Sequence, residues 1–306
     1  MATPVHVGIV GHEEGNEEDP FVIVGPFLDQ PILKGPISGP RREDLQITSA
    51  LFALAYSGTS TSPVGVCAGD DPPDRFIHLG GREWGVELTE LTMPDIRQEL
   101  ADVRRFARNL QKLLLEHSGD YQHLLGKSIN LAKLDSPLPR KQDPLLAEIA
   151  EALKEGRGFS GQDMDLGQGP PQKLNMKGIY GGHGGFHVIV NPGQPLGDPG
   201  SIMVSAHGNY QIHASEAIEA LAKRIDEKDK ECNELLIITC GLVDNYGYTC
   251  PADEYIMRLL AMTAERGKSV FPRPPKHIKG ILVHQWHTQI LYHWERDADV
   301  PWAASV

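Results

Sequence analysis

The sequence predicts an α/β protein, a mixed central sheet flanked by helices and interrupted by a large insertion. Three observations predict it. Arg41 to Tyr56 places Leu45, Thr48, Leu51, Phe52, Leu54 and Ala55 at helical spacing, and Ala214 to Glu231 does the same with Ile218, Leu221 and Ile225. The stretch Glu83–Leu91, EWGVELTEL, alternates with period two. Trp84, Val86, Leu88 and Glu90 point one way, and Glu83, Gly85, Glu87, Thr89 and Leu91 the other. The run LLIIT at Leu235–Thr239 is apolar throughout, as a strand buried in a sheet would be.

The remaining elements follow in chain order. Residues 1–40 form a preface rich in Gly and Pro, with short apolar pieces at Val5–Val10 and Phe21–Val24 and a solvated acidic loop at Glu13–Asp19. The helix from Arg41 ends before Gly58, a stop signal. Strands are expected at Pro63–Cys67, Arg75–Leu79 and Glu83–Leu91, with Gly80–Gly81 as the hairpin turn between the last two. A long helix spans Asp95 to Glu116, Gly119–Gln142 reads as a connection, and a further helix covers Pro144–Glu155. Gly156–Gly185 is loop-like, with many Gly, Pro and Gln residues. Strands at Phe186–Asn191 and Ile202–Val204 precede the helix from Ala214. A helix at Ala252–Arg266 and strands at Gly280–His284 and Gln289–His293 close the chain. The organisation expected is the preface, then one domain over 41–306 with an insertion at about 93–185.

Bulk properties narrow the functional classes. The 306 residues are 40% hydrophobic and 23% charged, enough for a core and too few charges for a disordered chain. The net charge of -12 argues against a protein that coats nucleic acid, since phosphate contacts dominate that kind of affinity. It is compatible with carboxylates gathered for a divalent metal beside a local basic groove. Cys67, Cys232, Cys240 and Cys250 form no C-x-x-C pair, which speaks against a zinc site made of cysteines. Met1–Val10 lacks the pattern of a signal peptide, and no apolar run is long enough to span a bilayer. A cytoplasmic protein away from membranes is the expectation.

The chemistry concentrates in two carboxylates. Asp74 follows Pro72–Pro73 at the start of one strand, and Glu87 lies on the next strand of the same hairpin. The hairpin brings both acids to one end of a sheet, and Glu87 and Thr89 share a face. Magnesium takes oxygen ligands and is held by one or two carboxylates together with substrate phosphate. Glu87 sits in an apolar strand, where an unpaired carboxylate is expensive. Asp74 taken alone reads first as a turn or cap residue, and the first-turn position of Glu43 suits the helix dipole.

The order helix, strand, PD strand, E-x-T strand, lysine-bearing helix and LLI-type strand resembles the PD-(D/E)XK nuclease superfamily over residues 41–91 and 213–240. The resemblance implies a restriction-endonuclease-like core and a nuclease that needs Mg²⁺ or Mn²⁺. Asp74 and Glu87 would bind the metal, with Glu43 as an additional acid. The position usually held by lysine is Thr89 here, which would line the site with Glu90. A subset of the superfamily is thought to draw the lysine from the following core helix. Lys228, seven positions after Leu221 on the same helix face, fits that role, with Lys223 second. The substrate implied is nucleic acid, DNA ahead of RNA, with a homodimer among the assemblies open to the chain.

Two other classes remain. One is a relative that kept the fold, lost catalysis at Thr89, and binds nucleic acid or a protein. The other is a metalloenzyme with ligands drawn from His183, His187, His207, His213, His284, His287 and His293, though no H-E-x-x-H is present. Lys228 lies in the charged run DEKDKE, which a solvated helix end also explains. The GGHGGFH segment fits a loop of unusual backbone angles, and Trp286, Tyr292, Trp294 and Trp302 fit core or interface positions. No P-loop and no G-x-S-x-G elbow occur.

Overall fold

The computed structural model describes residues 7–13, 16–25, 39–56, 65–69, 72–79, 81–133, 138, 141–155, 172–175, 186–191, 200–208, 210–244, 250–271, 273–286, 291–296 and 300. In chain order the elements are β1 Val7–Glu13, β2 Asn16–Gly25, α1 Gly39–Tyr56, β3 Gly65–Ala68, β4 Arg75–Leu79 and β5 Arg82–Leu91. Then come α2 Pro94–Glu116, β6 Ser128–Lys133, α3 Asp143–Lys154, β7 Gln172–Asn175, β8 Phe186–Asn191 and β9 Met203–Gly208. The last are β10 Tyr210–His213, α4 Ala214–Lys228, β11 Leu235–Cys240, α5 Pro251–Glu265, β12 Gly280–Gln285 and β13 Leu291–Glu295. The chain divides into two compact units. One comprises Gly8–Ile23, Gln30–Met93 and Gln211–Val306; the other comprises Met1–Val7, Val24–Asp29 and Pro94–Tyr210.

The first unit is built on a mixed six-stranded sheet in the order β13-β12-β11-β5-β4-β3. β3, β4 and β5 form an antiparallel meander. β11 then pairs with β5 in parallel, so the chain must cross over between them, and α4 leads directly into β11. β12 extends the parallel run and β13 closes the edge antiparallel.

Alternation along β5 decides which side each helix covers. Trp84, Val86 and Leu88 join Ile77, Leu235, Ile237 and Leu282 in one buried cluster with Ile47, Ala50, Leu51 and Leu54 of α1. Gly85, Glu87 and Thr89 therefore face the opposite side, where α4 packs on β5 and α5 packs on α4. β11 is buried along its whole length, as the LLIIT run predicts for a strand covered on both faces.

The second unit has a four-stranded sheet in the order β7-β8-β6-β9. α2 packs against β9 and α3 against α2, and Val103, Phe106, Leu110 and Leu114 meet Ile129, Leu131, Val188 and Val190 in its core.

Two local expectations are corrected. The stretch Gly119–Gln142 contains β6 and a 3₁₀ turn at Ser118–Leu124 rather than only a connection. The acids Glu17, Glu18 and Asp19 lie within β2, a strand paired with β1 and β10, rather than in a loop. Most of 156–185, including the GGHGG segment, falls outside the described residues, but Gln172–Asn175 is a strand. No helix among the described residues is long and apolar enough to cross a membrane.

Candidate active site

Asp74 is set by local packing. Gly69 donates its N–H to the Asp74 carbonyl at 3.0 Å, closing a turn over the two prolines. That approach requires glycine, since a Cβ on Gly69 would stand 1.7 Å from the Pro73 carbonyl oxygen. The Pro73 ring lies against Gly85 of β5, whose missing side chain leaves room for it. β4 and β5 pair with Arg75 opposite Val86, so Asp74 stands one step beyond the ladder, opposite Glu87. The Asp74 side chain closes that end of the sheet. Its Oδ2 accepts the Leu88 N–H at 2.8 Å.

Glu87 is 5% exposed and central in the sheet, with Leu236 of β11 on its other flank. Its Oε1 lies 2.5 Å from the Lys228 Nζ, a contact across 141 residues of sequence. The helix periodicity that buries Leu221 and Ile225 of α4 carries Lys228 to the same side, and its side chain stays 28% exposed. The second oxygen, Glu87 Oε2, is buried and holds no hydrogen bond among the described residues. Of the three residues expected together from sequence, Glu87 and Lys228 touch directly, and Asp74 stands one step beyond the β4–β5 ladder, opposite Glu87, with its carboxylate on the Leu88 N–H.

No family model, no curated protein and no solved structure matches the chain.

The other candidates fall in different places. Thr89 is buried on the strand face of Glu87, and its carbonyl accepts Gln46 Nε2 of α1 at 3.2 Å. Glu90 does not line the site. It faces α1, where Arg42 grips both carboxylate oxygens through Nε and Nη2 and also donates Nη1 to the Val243 carbonyl at 2.6 Å. Strand alternation accounts for this, since Glu90 follows Trp84, Val86 and Leu88. Glu43 pairs with the Arg75 guanidinium at 2.5 Å, and the same group reaches Asp44 at 3.1 Å and the Asp74 carbonyl at 2.8 Å. Glu43 is therefore neutralised at the site's border. Lys223 is exposed on α4.

The histidines are dispersed. His284 is fully buried against the Thr239 hydroxyl at 2.9 Å, His213 precedes α4 with its N–H on Glu216 at 2.9 Å, and His293 stands on β13. His183 and His287 lie outside the described residues, as do the side chains of His187 and His207. Among the described residues no group of three or more His, Cys, Asp and Glu side chains is placed to hold a metal ion.

Sequence reasoning missed the supports around the site. Burial pushes the Asp229 carboxyl up, but N–H groups of Lys276, His277 and Ile278 together outweigh it and hold the group below its ordinary value. Glu234 behaves alike. Burial raises it, and Lys279, the Gly85 N–H and Arg82 bring it down. The Arg42–Glu90 fork ties α1 to β5 through two charge-assisted hydrogen bonds. Arg42→Ala strips a half-buried carboxylate of its partner and should lower stability by about 2 kcal/mol. A urea unfolding midpoint measures this, and an unchanged midpoint would show the fork to be idle.

Proposed function

We propose that the six-stranded unit is a PD-(D/E)XK-like nuclease core, and that Asp74, Glu87 and Lys228 carry metal-dependent hydrolysis of phosphodiester bonds in nucleic acid. The observation that carries this reading is the Lys228–Glu87 contact at 2.5 Å, with Asp74 fixed opposite Glu87. The element order supports it too. α1, the β3–β5 meander, α4 and the parallel strand β11 follow one another in the order the resemblance implies, with Pro94–Tyr210 intervening before α4.

The residues fit a divalent cation. A buried carboxylate oxygen with no partner among the described residues is rare, and Glu87 Oε2 is one, on the same sheet face as Asp74. Those two carboxylates would hold Mg²⁺ or Mn²⁺, the hard oxygen-ligated ions that phosphate chemistry uses. When bound, such an ion supplies positive charge to the scissile phosphate and acidifies an attacking water. Lys228, one flank open to solvent, holds a positive charge beside Glu87 and meets the negative charge that develops on the phosphate oxygens. Asp74 caps the end of the β4–β5 ladder beside Glu87, and β11 holds the other flank of that strand. Thr89 adds a short polar side chain one step along the same face, leaving room where a lysine would compete with Lys228.

A second reading has its own observation. Lys228 already pairs with Glu87 Oε1, as in a structural ion pair, and Glu43 is spent on Arg75. On that basis the unit would be a nuclease-fold module that binds nucleic acid or a protein without cutting. Incubation with plasmid DNA, single-stranded DNA and RNA, each with Mg²⁺, Mn²⁺ or EDTA, decides between them. Cleavage that needs metal is the expected result. Binding of Mn²⁺ to neither the wild type nor any nucleic-acid complex would sink the nuclease reading.

A further inference from the structure

The charged run at the end of α4 sends its acids to different places. Asp226 pairs with Arg273, and Glu227 accepts from Arg224 at 2.8 Å. Asp229 binds main chain. Its Oδ2 accepts the Lys276 N–H at 2.5 Å, and its Oδ1 accepts the N–H groups of His277 at 2.8 Å and Ile278 at 3.1 Å. Those residues lead straight into β12, which is in register with β11. On the other side, Asn233 is 1% exposed and donates Nδ2 to the Lys228 carbonyl at 2.8 Å. The Lys230 N–H reaches the same oxygen at 2.9 Å.

Lys228 is the last residue of its helix, where backbone order is ordinarily lowest, and its ammonium sits on four rotatable bonds. Nothing in its own side chain explains a fixed contact with Glu87. The fastening comes from the neighbouring residues, which tie the helix end to the sheet that carries Glu87.

We propose that Asp229 is the positioning residue for Lys228. It clamps the end of α4 onto the 276–278 loop and so holds the ammonium on Glu87. Its effect on catalysis rests on the nuclease reading above; its effect on the Lys228–Glu87 contact does not.

Two measurements on the full chain separate the claims. The first is a double-mutant cycle by urea unfolding, with Lys228→Met, Glu87→Gln and both together, in the wild-type and the Asp229→Ala backgrounds. The coupling, read as a ratio of unfolding constants, should fall by about threefold or more when Asp229 is lost. The second is cleavage kinetics with Mn²⁺. Asp229→Ala should lower kcat by about 10- to 100-fold with KM unchanged, since the residue orients a group that acts on the transition state. Asp229→Asn keeps Oδ1 for His277 and Ile278 and should lose less in both. It also carries both measurements if the alanine variant does not fold. A coupling unchanged in the Asp229 variants overturns the proposal whether or not the protein cleaves. Lost coupling in a protein whose wild type never cleaves leaves the positioning role standing and removes the nuclease reading alone.

Discussion

Glu87→Gln should reduce metal-dependent cleavage by about 100- to 1,000-fold in kcat while leaving the fold intact, the scale seen when one preorganised electrostatic group is removed. Glutamine keeps the shape and one acceptor for Lys228, but it removes the negative charge that a cation requires. The orphaned Oε2 makes this position the sensitive one. It is buried and holds no hydrogen bond among the described residues, whereas Asp74 Oδ2 is already committed to Leu88. Stability should change by about 1 kcal/mol, because the Lys228 ammonium is part-exposed and water can take over its solvation. Activity and a urea midpoint measured on the same preparation therefore distinguish lost chemistry from lost folding. Asp74→Asn offers an internal contrast. The amide oxygen can still accept the Leu88 N–H, so cleavage should fall with little loss of stability. Full cleavage in both variants would end the nuclease reading, and the ion pair would then be structural.

The core of this unit is legible in the sequence because local pattern and tertiary role coincide there. EWGVELTEL alternates, and the alternation separates Glu87 from Glu90, yet the resemblance drew Glu90 into the site, and its pairing with Arg42 shows that the alternation was the better guide. The LLIIT run marked a buried strand, and the spacing of Leu221 and Lys228 put the lysine on the buried face of its helix, while the parallel pairing of β11 with β5 is seen only in the fold. What stayed hidden depends on contacts distant in sequence. β6, SINLAK, has only a short alternation, and its strand character comes from partners at Phe186–Asn191 and Met203–Gly208. The clamp made by Asp229 is invisible for the same reason. In the run DEKDKE it is one acid among several, and its partners are backbone N–H groups of residues 276–278, which no side-chain pattern announces. Glu43 shows the converse. The resemblance placed an acid near the site, but Arg75, next to Asp74 in sequence, takes its charge.

The largest stability change with pH should come from His284, a residue outside the proposed chemistry. It is fully buried on β12, across from Thr239, and burial pushes its pKa down to about 4, with only partial relief from the Gln285 backbone. In the unfolded chain it titrates near about 6.5. Between those values the unfolded state binds a proton that the folded state refuses, so stability rises with pH across that window. The contribution is complete above about pH 6.5 and is lost as the pH falls to about 4, amounting to about 3 kcal/mol. Asp229 and Glu234 act in a separate window. Their carboxyls are held below the ordinary range, so their stabilisation is present above about pH 4.5 and drains away below it. Trp84, Trp286 and Trp294 all lie in the six-stranded unit, so tryptophan fluorescence during urea unfolding follows that unit. Wild type should lose stability steadily from pH 6.5 to 4. His284→Gln, which offers Thr239 a hydrogen bond but no titrating group, should remove most of that slope and keep the loss below pH 4.5. Equal slopes in the two proteins would mean that His284 admits a proton without disturbing the sheet, and the acid sensitivity would then belong to the carboxylates alone.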